Sequence, residues 1–192
     1  MYGAMLRLKD IKPEDCKPMY AMLSGGEPLP ATLREAFRQR LGAPLLEGYG
    51  LTETSPVVAL NTPQVQKAGS VGKPLPNVHV RIADDEGKAL PQGQVGEVWI
   101  KGPMVMKGYH NLPDETNQVL TNDGYFKTGD LGKIDEDGFL FITGRKKEMI
   151  IVAGEKAYPR EIEDVLTRHP MVAEAAVLGK KDAARGEVIV AF

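Results

Sequence analysis

An aspartate beside a glycine closes the stretch Gly124-Tyr125-Phe126-Lys127-Thr128-Gly129-Asp130. A carboxylate so placed can accept both hydroxyls of a ribose, as acidic residues do in other nucleotide sites. A second stretch, Gly48-Tyr49-Gly50-Leu51-Thr52-Glu53-Thr54, follows a short apolar run. Gly48 and Gly50 let backbone approach a flat ligand, and Tyr49 offers a ring face for stacking. Thr52 and Glu53 offer oxygens to a phosphate or to Mg2+. In Ser24-Gly25-Gly26-Glu27-Pro28-Leu29-Pro30, backbone amides at a glycine turn can meet a purine edge or a phosphate. In Arg145-Lys146-Lys147-Glu148, the guanidinium suits a ribose or phosphate oxygen, and the segment can act as a hinge.

Each stretch also has a plainer reading. Asp130 can be a turn former, and Gly48 to Thr54 an ordinary strand-to-loop junction. Ser24 to Pro30 can be a loop entering a helix. The Arg145 cluster can be a solvated turn of mixed charge. Other chemistries find less support. His79, His110 and His169 have no metal-ligand spacing with one another or with Cys16. The sequence has neither a G-x-S-x-G elbow nor a G-x-x-x-x-G-K-[ST] phosphate loop. Glu161 and Glu163 read as partners of a helix dipole rather than catalytic acids.

The elements that must position these residues follow from the apolar pattern. Met1 to Lys9 reads as the end of a helix with Met1, Met5 and Leu6 or Leu8 on one side. Pro13 and Asp15 to Pro18 read as a loop. Tyr20 to Leu23 reads as a buried strand. A helix is expected from Pro30 to Leu41, with Leu33, Ala36, Phe37 and Leu41 on its apolar face and Gly42 at its end. Pro44 to Gly48 is a second strand, so the first part is α/β in character. From Gly69 the texture changes to period-two runs between turns. Val78, Val80 and Ile82 make one run, Val98 and Ile100 another, and Phe139 to Ile142 a third. These predict a small antiparallel sheet or barrel, with a short helix from Asp114 to Leu120. Met149 to Val152 is a strand and Ala153 to Lys156 a turn. A helix then starts at Pro159, with Ile162, Val165 and Leu166 on one face, and Pro170 stops it. Val172 to Leu178 and Val188 to Phe192 read as two last strands.

The composition sets outer bounds. Of 192 residues, 42% are hydrophobic and 26% charged, as in ordinary globular proteins. A net charge of -2 gives no broad basic field, so nucleic acid is not a favoured partner. No apolar run is long enough to span a bilayer, and the N-terminus lacks the pattern of a signal peptide. Cys16 is the one cysteine, which points to a reducing, cytoplasmic setting.

Taken singly these signals are weak, but their order and combination are specific. SGGEPLP, GYGLTET, GSVGKPLPN, GEVWIKGPMVMKGY, GYFKTGD, GFLFITGRKKEMIIVAGEKAYPREIE and VAEAAVLG resemble the AMP-forming adenylating family over nearly the whole chain. That family includes acyl-CoA synthetases, firefly luciferase-type enzymes and peptide-synthetase adenylation domains. The GYHNLP and GRKKEMI segments look most like fatty-acyl-CoA ligases. The resemblance implies a mixed α/β fold: the end of a large domain over 1–146, with an α/β segment (1–68) and a barrel-like segment (69–146). A hinge and an incomplete small α+β domain would follow over 147–192.

The resemblance also implies roles. Gly25, Gly26 and Glu27 would line the adenine side. Tyr49 would stack on adenine beside Gly48 and Gly50. Thr52 would touch the α-phosphate and Glu53 would hold Mg2+. Asp130 would bind the ribose hydroxyls with help from Arg145. Lys147 would be the hinge, and Gly154 would border the thiol channel. The implied reaction joins a carboxylic acid, expected to be a fatty acid, to AMP from ATP, and then to the thiol of coenzyme A. The family's pyrophosphate-gripping loop and its C-terminal catalytic lysine have no counterpart in these residues. The chain therefore reads as an internal fragment, expected to be inactive alone and prone to self-association. Two other readings stand beside this one: a non-catalytic AMP- or ATP-binding module, and a structural remnant without a ligand.

Overall fold

The structure is a computed structural model that describes residues 1–169 and 171–192. Among the described residues the strands form three four-stranded sheets. The chain opens with two one-turn helices, α1 (Tyr2–Met5) and α2 (Pro13–Cys16). Strand β1 (Met22–Ser24), helix α3 (Ala31–Leu41) and strand β2 (Leu45–Tyr49) follow. A right-handed crossover is the physical default for such a unit, and β1 pairs with β2 in parallel across α3. Phe37 and Leu41, four apart, are buried on one face of α3 and pack with Cys16, Met22, Leu29 and Leu45. Gly42 ends the helix in the left-handed conformation.

Several local expectations need correction here. The first helix is short: Tyr2, Met5 and Leu6 reach the core, whereas Met1 and Leu8 are exposed. Pro13 to Cys16 is a helical turn, not a loop, because Pro13 occupies its N1 position and Asp15 accepts the Lys12 backbone N–H. Tyr20 and Leu23 are exposed, so only Met22 of that apolar run enters the core. Ala36 is likewise exposed.

Short strands β3 (Ala59–Leu60) and β4 (Lys73–Pro74) extend β2 antiparallel. The second sheet is a meander of β5 (His79–Ala83), β6 (Gly96–Lys101), β7 (Phe126–Ile134) and β8 (Leu140–Arg145). It is open among the described residues, where a barrel had been one expectation. The edge of β8 is met instead by the loop before β4, through Val71 N–H to Leu140 O and Leu140 N–H to Gly72 O. Helix α4 (Pro113–Val119) sits between β6 and β7, as expected. Val98, Ile100, Ile82 and Leu140 form the core with Val58 and Ala59. The alternation expected in β6 is masked, since Glu97 and Trp99 are buried too. Trp99 lies beneath the turn at Gly87, with Arg81 and Lys127 over its ring.

The third sheet has the order β10-β9-β12-β11. Its strands are β9 (Ile150–Val152), β10 (Glu155–Ala157), β11 (Val177–Asp182) and β12 (Gly186–Ala191). Val152 pairs directly with Glu155, so the expected four-residue turn shrinks to Ala153-Gly154, both at positive φ. Helix α5 (Pro159–Leu166) lies against β11 and β8. Ile162 and Leu166 are half-buried, but Val165 is exposed. The expected stop at Pro170 lies outside the described residues. The strand expected over Val172 to Leu178 begins only at Val177 and pairs with β12 as a hairpin.

Candidate functional site

Strand β7 is nine residues long and escaped the sequence reading, because its middle is Thr-Gly-Asp rather than an apolar alternation. The register explains how it tolerates them. Glu97 faces Leu131 and Trp99 faces Lys127, so Thr128, Gly129 and Asp130 stand opposite the single residue Val98. This is a β-bulge. Gly129 has φ +72, a conformation that favours glycine. A second irregularity lies on the other side, where Leu131 pairs with Gly144 but Gly132 pairs with Ile142. Asp130 therefore sits in a bulged strand in the middle of the sheet, 4% exposed, and is not a surface turn.

Three groups converge there. Asp130 and Arg145 are direct cross-strand partners, so their side chains emerge on one side. Arg145 Nε lies 3.1 Å from Asp130 Oδ1. The Tyr49 hydroxyl, delivered from the end of β2, donates to Asp130 Oδ2 at 2.6 Å. Burial raises the Asp130 carboxyl above the usual carboxylate range, although the Tyr49 bond and the Arg145 charge pull the other way. Burial, then the neighbouring Asp130 charge, push the Tyr49 phenol upward, so it remains a neutral donor through the physiological range.

These residues line a cleft of about 720 Å³. Its floor comes from β2 and the loops that follow β1 and β2, through Gly26, Glu27, Glu47, Gly48, Tyr49 and Gly50. Asp130, Gly144 and Arg145 form one wall, and Lys147, Met149, Arg160 and Glu163 the other. Gly50 is required by close packing: a Cβ there would stand 1.4 Å from the Pro56 carbonyl oxygen. The structure thus brings Gly26, Glu27, Gly48, Tyr49, Gly50, Asp130, Arg145 and Lys147 to one cavity. Gly25, Thr52 and Glu53 are not among its lining residues. Gly25 is in contact range of the floor, since a Cβ on it would lie 3.3 Å from Gly48 O. Thr52 and Glu53 form a 3₁₀ turn after β2. There the Tyr109 hydroxyl donates to Glu53 Oε1 at 2.9 Å, and burial followed by that bond raises the Tyr109 phenol. Gly154 borders a separate, open depression beside Arg185, Lys181 and Glu187. No group of three or more metal-ligating side chains occurs among the described residues.

With this geometry in view, relatives are informative. Residues 1–110 match the family described as AMP-binding enzyme, and residues 161–192 match the AMP-binding enzyme C-terminal domain. The chain belongs to the AMP-binding enzyme family. A long-chain-fatty-acid–CoA ligase of Escherichia coli is 40% identical over 100% of this chain and 34% of its own length. A sulfoacetate–CoA ligase of Cupriavidus necator is 43% identical over 88% of the chain and 33% of its length. ATP-bound MatB from Rhodopseudomonas palustris superposes with a TM-score of 0.93 at 39% identity, over 99% of this chain and 38% of that one. The chain thus spans about a third of the length of the relatives it matches.

This AMP-binding family member also has cleft residues that sequence reasoning did not find. Glu47 is buried on β2 and held by Arg34 of α3, whose Nη2 donates to its Oε2 at 2.5 Å. Arg160 donates to the carbonyl of Ile142 at 2.8 Å, which ties α5 to β8. Glu163 was expected to serve the helix dipole. Its Oε1 instead accepts the Val177 backbone N–H at 2.8 Å, fixing the start of β11 at the cleft. Local signals for these were lacking, because each depends on a partner from another element.

Proposed function

We propose that this chain carries the nucleotide-binding part of an AMP-forming acyl-CoA ligase. The observation that carries the reading is the cluster in which Tyr49 and Arg145 both meet the buried Asp130 carboxylate, lining a cleft large enough for AMP. In this reading Asp130 accepts the two ribose hydroxyls, and Arg145 holds the carboxylate ionised and oriented. Tyr49, fixed by its hydroxyl, presents its ring to adenine between Gly48 and Gly50, and Gly25, Gly26 and Glu27 border the base. Thr52 contacts the α-phosphate. Glu53 would hold Mg2+, a role that fits a lone carboxylate because Mg2+ usually takes one or two protein oxygens plus substrate phosphates. The ion would supply charge neutralisation at the phosphates.

The full reaction has two steps. A carboxylate oxygen attacks the α-phosphorus of ATP, and pyrophosphate leaves with its electron pair. A thiol then attacks the acyl carbonyl, and AMP leaves. The domain boundary is set at 146/147, with Lys147 as the pivot and Gly154 near the thiol acceptor, proposed to be coenzyme A. The acid is assigned to the fatty acids on the long-chain relatives. The sulfoacetate relative, at similar identity, marks how far this part of the sequence is shared across acids. The setting is assigned as cytoplasmic on the single buried thiol of Cys16, and no helix among the described residues is long and apolar enough to cross a membrane.

The test is calorimetric titration of AMP, with and without Mg2+, into the chain and into Asp130→Ala. The variant is expected to bind about 10 to 100 times more weakly, as for loss of hydrogen bonds to a charged acceptor. Equal affinities in two folded proteins would refute the assignment.

A further inference from the structure

The bulge that presents Asp130 leaves backbone groups without ladder partners, and side chains take them up. Thr128 Oγ1 donates to the Val98 carbonyl at 2.7 Å and accepts the Asp130 N–H at 3.0 Å. The N–H of Gly129 is received by Glu97 Oε1 at 3.2 Å. Glu97 is only 8% exposed, an unusual place for a carboxylate without a partner. Its other oxygen, Oε2, lies 3.2 Å from Lys146 Nζ, and that amine also meets Asp85 Oδ1 at 2.9 Å. Lys146 directly follows Arg145, which itself meets Asp130. The carboxylate of Glu97 thus joins the backbone just before Asp130 to the segment just after Arg145.

From this geometry we infer that Glu97 is a positioning residue: it holds the β7 bulge in the shape that turns the Asp130 carboxylate toward the ribose hydroxyls. The inference rests on the nucleotide reading above and adds a residue outside the cleft lining to it. The physical basis is the accounting of buried backbone groups. Without an acceptor, the Gly129 N–H drives the bulge to another conformation, because leaving it unpaired costs more than shifting a glycine. Asp130 is the next residue and moves with it. Thr128 pins the same bulge through Val98 and Asp130 but leaves the Gly129 N–H untouched, so Glu97 has a separate task.

The consequence is specific to the sugar hydroxyls, and the test reads that. AMP and 2′,3′-dideoxy-AMP are titrated into the wild-type chain, Asp130→Ala, Glu97→Ala and Glu97→Gln. The wild type is expected to prefer AMP by at least about tenfold, and Asp130→Ala to lose that preference. Glu97→Ala is expected to bind AMP about tenfold more weakly, with dideoxy-AMP affinity little changed, so the preference collapses. Glu97→Gln keeps an acceptor oxygen for Gly129 and is expected to keep the preference. A general loss of stability would weaken both ligands alike and leave their ratio intact. Preservation of the preference in a folded Glu97→Ala would overturn the role of Glu97, as would its collapse in a folded Glu97→Gln. No preference in the wild type, or an unchanged one in Asp130→Ala, would instead defeat the nucleotide reading itself.

Discussion

The central sheet and the last sheet are both antiparallel and four-stranded, yet they differ in what they bury. In β6 five consecutive residues, Gly96 to Ile100, are buried, because one face meets the Val58–Ala59 layer and the other is capped by the Gly87 turn. In β12 no residue is fully buried, and Ile189 is 42% exposed. Of the last sheet, only Ile150 and Val177 are buried. One face of that sheet meets α5, while Ile151, Leu178 and Ile189 remain in solvent. The difference teaches where each kind of work can be done. A bulged strand with a charged residue at its centre is held only where packing on both sides over-determines it. A thinly packed sheet has less burial to hold it and opens locally at lower cost.

The largest expected effect breaks or confirms that contrast directly. Ile100→Ala, in the fully buried centre, is expected to cost about 3–4 kcal/mol in urea unfolding. The same change at Ile189 is expected to cost about 1–2 kcal/mol, since 42% of that residue's area already meets water. Similar losses at the two sites would show that the sheets share one cooperative core.

A smaller effect concerns the price of function at Asp130. Burial raises its carboxyl pKa, so the folded state holds the proton more tightly than the unfolded chain. That stabilising contribution is full below the ordinary carboxylate pKa of about 3.9, and it is lost as the pH rises through the raised value. At neutral pH the ionised Asp130 is therefore a net cost. Asp130→Asn keeps an oxygen for the Tyr49 hydroxyl and is expected to raise the thermal midpoint at pH 7, with the gain narrowing toward pH 4. A lower midpoint at pH 7 would mean that the Arg145 pair outweighs desolvation.

The smallest effect is electrostatic. Asp85 meets both Lys146 and Lys156, and its side chain is exposed. Hydrogen bonding to Lys146, then the charges of the two lysines, hold its carboxyl below the usual range. Asp85→Ala is expected to cost about 0–1 kcal/mol in unfolding at low salt and less at high salt. Faster tryptic cleavage at Lys146 or Lys147 in this variant would show that the pair restrains the segment between the sheets. An unchanged cleavage rate would assign that restraint to Arg160 and its bond to Ile142.

Much of this was legible along the chain. Helix α3 was visible from Leu33, Phe37 and Leu41 at helical spacing and from Gly42 at the stop. Helix α4 was expected from Asp114, one residue after its observed start at Pro113, and α5 from Pro159. Strand β7 was not, because Thr128-Gly129-Asp130 carries turn residues in the middle of a strand. Only the tertiary register shows that they stand opposite one residue of β6. Val165 and Ala36 followed the apolar pattern but faced water, since periodicity names a face without saying how wide the partner surface is. Glu163 looked like a dipole partner because its receiver, the Val177 N–H, belongs to another element.

What the sequence determined by itself was the inventory and its order: the two glycine-flanked stretches around Gly25 and Tyr49, the acid at 130, the cluster at 145–148 and the family they mark. These are local chemical facts, written in residue types and short spacings. What only the tertiary structure decided was which of them meet. Tyr49 and Asp130 are far apart in the chain and 2.6 Å apart in space. Thr52 and Glu53, neighbours of Tyr49 in sequence, form a 3₁₀ turn in which Glu53 meets Tyr109 from a distant loop. The reason is that a side chain's direction depends on strand register and on bulges. Both are set by long-range pairing and burial, which no short stretch of sequence contains.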